Sequence, residues 1–355
     1  VSAAKAAADF VAQIFAEVTA PEPGAAHSAD VAETAEADES TTPDVPAGPA
    51  REGVANLLQD QHILILGLGA SGMARARWCV RCGAQVTVAD TRAAPPQLPA
   101  LQQELPQVRF VSGAFDASLV QGQNLHAVYR SPGLSPEAVA PVLEAARANN
   151  ISAGGELSLY AMALAALRES HAYAPAVLAI TGTNGKTTVT SLTGQLVERT
   201  GKPVAVAGNI GPTLLDTLAE HLDSDTLPDV WVLELSSFQL DGVNGGEGGF
   251  EPTAATVLNI TQDHLDWHGD MAAYAAAKAR IFGEHGVMVL NRDDAAVMAM
   301  RPAPPAKVPK GTPKPEPRTV LTFGADMPTE PGYFGIEVVG GMAWLVRALA
   351  ADETQ

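Results

Sequence analysis

Cysteine is nearly absent: Cys79 and Cys82 are the only two in 355 residues. They stand three apart in a segment patterned as a helix, which excludes a disulfide framework of the secreted kind. A Cys-x-x-Cys beside a strand is compatible with a redox pair, but no other redox feature accompanies it, and two buried thiols are expected. No run of about 18 apolar residues occurs, and the N-terminus has no basic stretch followed by an apolar one and a cleavage site. A cytoplasmic protein without membrane insertion is the expectation. Basic residues are few, 22 Lys and Arg against 40 Asp and Glu, for a formal net charge of -18. Residues 1–52 hold ten acids and two bases, and the remainder stays acidic, which argues against a nucleic-acid surface held by phosphate contacts. Small molecules are the expected partners, and the chain is expected to be a monomer.

Hydrophobic residues make up 46% of the chain and are spread through its middle, enough for two ordinary domains with sizeable cores. Residues 1–19 are Ala-rich and compatible with a helix. Residues 21–53 are Ala, Pro, Glu, Asp, Ser and Thr, a mixture too poor in apolar surface to order itself. Residues 1–56 are therefore read as a disordered acidic tail, with order beginning near Leu57.

The fold class expected is α/β. His62–Leu66 is an apolar run ending in glycines, followed by a helical pattern over 73–82, a stop at Gly83 and a strand over 85–89. This strand, helix, strand unit opens a right-handed, doubly wound parallel sheet. Residues 108–111 and 127–129 read as further strands, the latter running into Ser131-Pro132-Gly133. A second α/β unit begins at Ala176–Thr181, passes through a glycine-bearing loop into a helix over 187–199, and continues with strands over 230–235, 254–259 and 287–291, again predominantly parallel. Residues 242–249, Gly-rich, and 302–318, Pro/Lys-rich, read as surface loops.

Gly182-Thr183-Asn184-Gly185-Lys186-Thr187-Thr188 follows an apolar strand and opens a helix, the setting in which a phosphate loop works. Glycines let main-chain N–H groups turn inward, the helix N-terminus adds positive potential, Lys186 neutralises terminal phosphates, and Thr187 can ligate magnesium. Only Thr183 and Asn184 separate the glycines, where the standard loop has four residues. A Gly-rich turn with an exposed lysine is the bland alternative. This segment resembles the ATP loop of the Mur ligases and folylpolyglutamate synthetases, and the resemblance extends from about Leu57 to Trp344. It implies a Rossmann-like substrate domain over 57–154 and a central ATPase domain over 155–350. It also implies activation of a carboxylate as an acyl phosphate that an amine then attacks, chemistry that calls for lysines and metal ions placed in advance.

Glu234 ends an apolar strand in Glu-Leu-Ser-Ser-Phe-Gln-Leu, where a carboxylate can serve a magnesium ion that otherwise takes phosphates and water. A charge merely marking the strand end is the alternative. Asp263-His264-Leu-Asp266-Trp-His268 packs four potential ligands into six residues. His264 and His268 at i and i+4 suggest zinc, but no Glu follows the first His and no cysteine assists. By resemblance, His264 helps hold a second magnesium or the substrate and Asp263 supports it, while His268 has no assigned role. Lys278, on a helical stretch, reads from composition alone as a solvated lysine. By resemblance, it is the lysine fourteen residues beyond the histidine that carbon dioxide converts to a carbamate, an anionic magnesium ligand.

Gly67-Leu-Gly69-Ala70-Ser71-Gly72, with Asp90 about 20 residues on, meets the dinucleotide fingerprint and alone would say NAD. By resemblance the same crevice takes the UDP of a cell-wall precursor: Ala70, Ser71 and Gly72 at the phosphates, Asp90-Thr91-Arg92 and Ser131-Pro132-Gly133 around the uridine, and Asn209 toward the muramoyl part. The Rossmann-like first domain, the Glu234 segment and Lys278 together resemble the D-glutamate-adding class, which joins D-glutamate to UDP-N-acetylmuramoyl-L-alanine at the expense of ATP. No Gly-x-His-Asn-x-x-Asn segment follows Trp344, so the family's third domain is expected to be missing and this polypeptide to bind the UDP substrate while ligating poorly. Another Mur-like amide ligase, an inactive nucleotide-binding paralogue and an NAD-dependent oxidoreductase are the rival readings.

Overall fold

Apolar strands with few polar breaks dictate sheets covered on both faces. The computed structural model describes residues 49–242, 249–303 and 318–350. The acidic stretch before residue 49 and most of the two loops read as surface insertions lie outside the described residues. Strands β1 (His62–Leu66), β2 (Gln85–Asp90), β3 (Arg109–Ser112), β4 (Ala127–Arg130) and β5 (Ser152–Gly154) form a sheet in the order β3-β2-β1-β4-β5. Every pair in it is parallel, with Ile63 opposite both Val86 and Ala127. Ile63, Leu64, Ile65 and Leu66 are all buried, because helices lie on both faces of the central strand. Each such side chain contributes roughly 1.5–3 kcal/mol of burial.

The second sheet comprises β6 (Ala176–Thr181), β7 (Val204–Gly208), β8 (Val230–Glu234), β9 (Ala254–Val257), β10 (Val287–Asn291), β11 (Val320–Phe323), β12 (Phe334–Val339) and β13 (Met342–Arg347), in the order β13-β12-β11-β10-β9-β6-β8-β7. It is parallel except at one edge, where β12 and β13 form an antiparallel hairpin through Gly340 and Gly341, both at positive φ. Helix Glu156–His171 joins the two sheets, and one continuous core runs from Ile63 through Tyr160 to Trp231 and Phe282. Tyr160 meets Trp231 edge-on at 5.4 Å. No helix of the described residues is long and apolar enough to cross a membrane.

One boundary read from the sequence moves. Residues 49–56 were assigned to the tail, but Pro49–Ala55 is a helix, and Ala50 and Val54, at i and i+4 on one face, are buried, as is Leu58 in the turn that follows. The acidic, Pro-rich composition upstream masks this short amphipathic stripe. A Cβ on Gly53 would meet Ser170 Oγ at 2.5 Å, so glycine permits the close approach to helix Glu156–His171. Cys79 and Cys82 are both free and buried, and burial pushes the Cys82 thiol up to about 12, far from the range of a redox pair.

Candidate functional site

The strand orders place one switch point in each sheet, between β1 and β4 and around β6, and open α/β sheets bind ligands at such points. At the first, Gly67 has φ +87°, and a Cβ on Gly72 would lie 2.0 Å from the Gly67 carbonyl oxygen. The glycines therefore let helix Ala70–Arg81 start hard against the strand end, with Ala70 and Ser71 on its open first turn. Asp90 at the end of β2 is buried. Its carboxylate accepts from the Leu68 N–H at 2.7 Å, from the Arg92 N–H at 2.9 Å and from the Arg92 guanidinium at 2.8 Å on each oxygen. Those donors, Arg92 foremost, hold the Asp90 carboxyl down at about 2. Thr91 and Arg92 are exposed at the rim.

Ser131-Pro132-Gly133 closes the other side of that crevice, the Ser131 hydroxyl donating to the Gly67 carbonyl at 3.1 Å. Behind it stands Arg75, which the sequence reading missed: it is fully buried, donates to the Arg130 carbonyl, and donates to Ser131 Oγ at 2.6 Å. Burial lowers the guanidinium to about 10, with Glu156 opposing the shift. An arginine in an Arg-bearing helix gives no sequence sign of its burial.

At the second switch point, the loop after β6 is pinned by the strand beside it. A Cβ on Gly182 would meet Leu258 Cβ at 3.0 Å, and Gly185 sits at φ +80° as the N-cap of helix Lys186–Glu198. Asn259, also missed, accepts from the Asn184 N–H at 2.8 Å and donates back to the Asn184 carbonyl at 3.1 Å. Thr183 bonds to the Thr261 carbonyl at 3.2 Å and to the Tyr274 hydroxyl at 3.1 Å. Thr187 and Thr188 are exposed on the first helical turn. The Lys186 ammonium folds over the loop, donating to the carbonyls of Gly182 at 3.1 Å and Thr183 at 3.0 Å.

Lys278 is brought to the same loop from helix Met271–Ala279. It is buried, donates to the Gly182 carbonyl at 2.9 Å and to Thr181 Oγ1 at 3.3 Å, and lies 4.8 Å from the Tyr274 ring centre. The solvated-lysine reading from composition is thus corrected: the residue faces the core side of its helix. Burial first, and Lys186 second, push its ammonium down to about 7.

Glu234 ends β8, buried, and accepts from the Asn209 side chain at 3.2 Å. Just beyond it, Ser236 and Gln239 form a reciprocal capping box that starts helix Ser237–Asp241, which is why the Ser-Ser-Phe-Gln run follows the strand. Glu234 and Thr187 line one cavity of about 410 Å³ with Thr190, whose buried hydroxyl lacks a hydrogen-bond partner. Hydroxyls, a carboxylate and room for phosphate oxygens are a donor set that fits magnesium. His264, at φ +51°, stands apart from that cavity's lining: its ring lies 4.6 Å from Phe238 and its Nε2 is 3.3 Å from Asp263. His268 contacts Ser237 Oγ at 3.1 Å, and among the described residues no three His, Cys, Asp or Glu side chains are grouped to hold a metal. Among those residues the histidine pair gains no third ligand of the kind zinc requires.

Two family models match the sequence of this chain. The Mur ligase middle domain covers residues 180–314, and the MurD-like N-terminal domain of the Mur ligases covers residues 61–155. The chain belongs to the Mur ligase family. Over 299 residues it is 67% identical to a UDP-N-acetylmuramoylalanine–D-glutamate ligase of Albidiferax ferrireducens, a match covering 84% of this chain and 58% of the relative. It is 52% identical over 383 residues to the protein of the same name from a Polaromonas species, covering 84% of this chain and 64% of that one. The chain thus spans about three-fifths of the length of these Mur ligases.

Proposed function

We propose that this chain carries the UDP-substrate and ATP domains of the ligase that adds D-glutamate to UDP-N-acetylmuramoyl-L-alanine in peptidoglycan precursor synthesis. Residues 57–154 would hold the UDP part and residues 155–350 the ATP. The observation that carries this reading is the burial of Lys278 against the carbonyl of Gly182 in the phosphate loop. A lysine held near neutrality can attack carbon dioxide: its nitrogen lone pair forms the N–C bond, one C=O pair moves to oxygen, and the proton leaves to solvent. The product is a carboxylate beside the loop, in place of a cation that repels Lys186. An NAD enzyme has no use for this lysine pair.

In the ligation, the alanyl carboxylate attacks the terminal phosphate of ATP, ADP leaves, and the amine of D-glutamate attacks the acyl phosphate to release phosphate. The N–H groups of residues 185–188, at the start of the helix, and the Lys186 ammonium would face the charge that develops on the transferred group, while the N–H groups of Thr183 and Asn184 are spent on Asn259. Magnesium, held by Thr187 and Glu234 with a second ion at His264 and the Lys278 carbamate, would supply further charge neutralisation. In the first domain, Asp90 acts through what it holds: it fixes the Leu68 N–H and the Arg92 guanidinium at the mouth of the crevice, beside Ser131, Pro132 and Gly133. Asn209, whose side chain is shared with Glu234, links the muramoyl end to the metal end.

The test is a pair of calorimetric titrations of this chain, one with UDP-N-acetylmuramoyl-L-alanine and one with NADH. Heat from the UDP compound alone is expected. Binding of NADH alone would overturn the ligase reading.

A further inference from the structure

Arg130 is the last residue of β4 and directly precedes Ser131-Pro132-Gly133, yet its nearly buried side chain turns away from the crevice. The guanidinium pairs with Asp241, the last residue of the helix that follows Glu234, and lies 5.9 Å from the Trp267 ring centre. The second oxygen of Asp241 accepts from Arg280 at 2.9 Å. The same guanidinium nitrogen also donates to the Asp241 carbonyl at 2.8 Å. Arg280 follows Lys278 by two residues, and Trp267 belongs to the segment that carries His264. On the far side of Arg130, Arg75 ties its carbonyl to Ser131.

A single half-buried carboxylate thus takes one guanidinium from the end of β4 in the first domain and another from the residue that caps the helix presenting Lys278. Charge-assisted bonds of this kind are short and directional, and removing the shared anion leaves two arginines facing each other, with the burial of Arg130 uncompensated. Among the described residues no hydrogen bond or ion pair joins Asp241 to the phosphate loop or the glycine crevice, so its effect on either passes through the arginines.

We propose that Asp241 is a positioning residue that locks the Ser131-Pro132-Gly133 loop in register with the Lys278 helix, so that occupation of the first crevice is felt at the phosphate loop. The functional half of this statement rests on the ligase reading above; the structural half does not.

The experiment is amide hydrogen exchange on the unliganded chain, wild type against Asp241→Asn and Asp241→Glu. The Asn variant should speed exchange about tenfold in both 131–134 and 265–280, with β1 and β6 unchanged, and the Glu variant should restore protection. Arg130→Met should release only the first segment and Arg280→Met only the second, which keeps the test sound if Asp241→Asn folds poorly. Exchange changes confined to 237–242, or a Glu variant no better than Asn, would overturn the proposal.

The coupling is then read by titrating UDP-N-acetylmuramoyl-L-alanine with and without magnesium and a non-hydrolysable ATP analogue. The nucleotide should change affinity about fivefold or more in wild type and less than about twofold in Asp241→Asn. Equal coupling in both would overturn the functional half. A wild-type chain that ignores the UDP compound would instead refute the ligase reading, leaving the exchange result to decide the lock.

Discussion

The turn after β1 and the turn after β6 share a backbone plan, strand into glycines into helix, but they are built for anions in different ways. In the first, the carboxylate and guanidinium of Asp90 and Arg92 neutralise each other, Ser131 and Arg75 close the back, and main-chain N–H groups are left to meet a ligand. In the second, two ammonium groups, Lys186 and Lys278, lean on the same carbonyl of Gly182. The first is a pre-neutralised cradle suited to binding. The second sets the Lys186 ammonium where negative charge would develop on a transferring phosphoryl group, with the buried Lys278 nitrogen beside it as the seat of the proposed carbamate, an arrangement suited to rate acceleration.

On the proposed ligase reading, the sharpest test of that contrast is Lys186→Met. Acyl-phosphate formation should fall about 10²–10³-fold, the scale of losing one preorganised electrostatic donor, while the affinity for the UDP substrate stays nearly unchanged. Equal loss of rate and UDP affinity would break the division of labour between the loops.

Glycine replacements separate the loops by mechanism. A methyl group at Gly72 has no room, 2.0 Å from a backbone oxygen that cannot move without its strand. Gly72→Ala should therefore cost on the order of 3 kcal/mol in urea unfolding. At Gly185 a Cβ would meet only Leu258 Cδ1, at 3.8 Å, so the penalty there is the left-handed backbone alone, about 1–2 kcal/mol. A Gly185→Ala as damaging as Gly72→Ala would show that the phosphate loop is packed as tightly as the first.

Lys278 distinguishes the loops by pH. Its ammonium is lowered from 10.5 to about 7, chiefly by burial. Below about pH 7 it is charged in both folded and unfolded chains, and the full burial penalty is carried. Between 7 and 10.5 the folded chain binds fewer protons, so stability rises with pH, and above 10.5 the penalty is gone. Thermal melts should show this rise without carbon dioxide, and Lys278→Met should flatten it. Added bicarbonate with magnesium should do likewise near neutrality. A melt that is level from pH 7 to 10 in the unmodified protein would refute the burial argument.

Both glycine loops, and strands β1, β2, β6, β8, β9 and β10, were legible because apolar runs end in glycine or a charged residue at the right spacing. Strand β5 is Ser-Ala-Gly, too short and too small to show a pattern, and β7 is a sheet-edge strand of alternating Val and Ala. The β12–β13 hairpin had its signal, Gly340-Gly341 between apolar runs, and was overlooked beside the Pro-rich segment before it. Lys186, Thr187 and Glu234 were visible as a motif and a strand end. Arg75, Arg130 and Asp241 were not, since residues 55 and 111 apart in sequence meet only through tertiary packing. Nor did the fingerprint spacing of Asp90 foretell that its oxygens bond to Leu68 and Arg92 within the chain.

That last point yields the smallest effect. Asp90→Asn keeps an oxygen for the Leu68 N–H and loses the ion pair to an arginine open to solvent, where such pairs are weak. Destabilisation near pH 7 should be about 1 kcal/mol. The sign of its pH dependence is fixed, because the folded carboxyl sits at about 2 against 3.8 unfolded. The stabilisation is present above pH 3.8 and is lost as pH falls toward 2, so wild type and Asp90→Asn should converge in acid-unfolding curves across that window. If the two curves already coincide at neutral pH, Asp90 does not stabilise the first loop and its carboxylate is reserved for the ligand, making the cradle less pre-neutralised than its geometry implies.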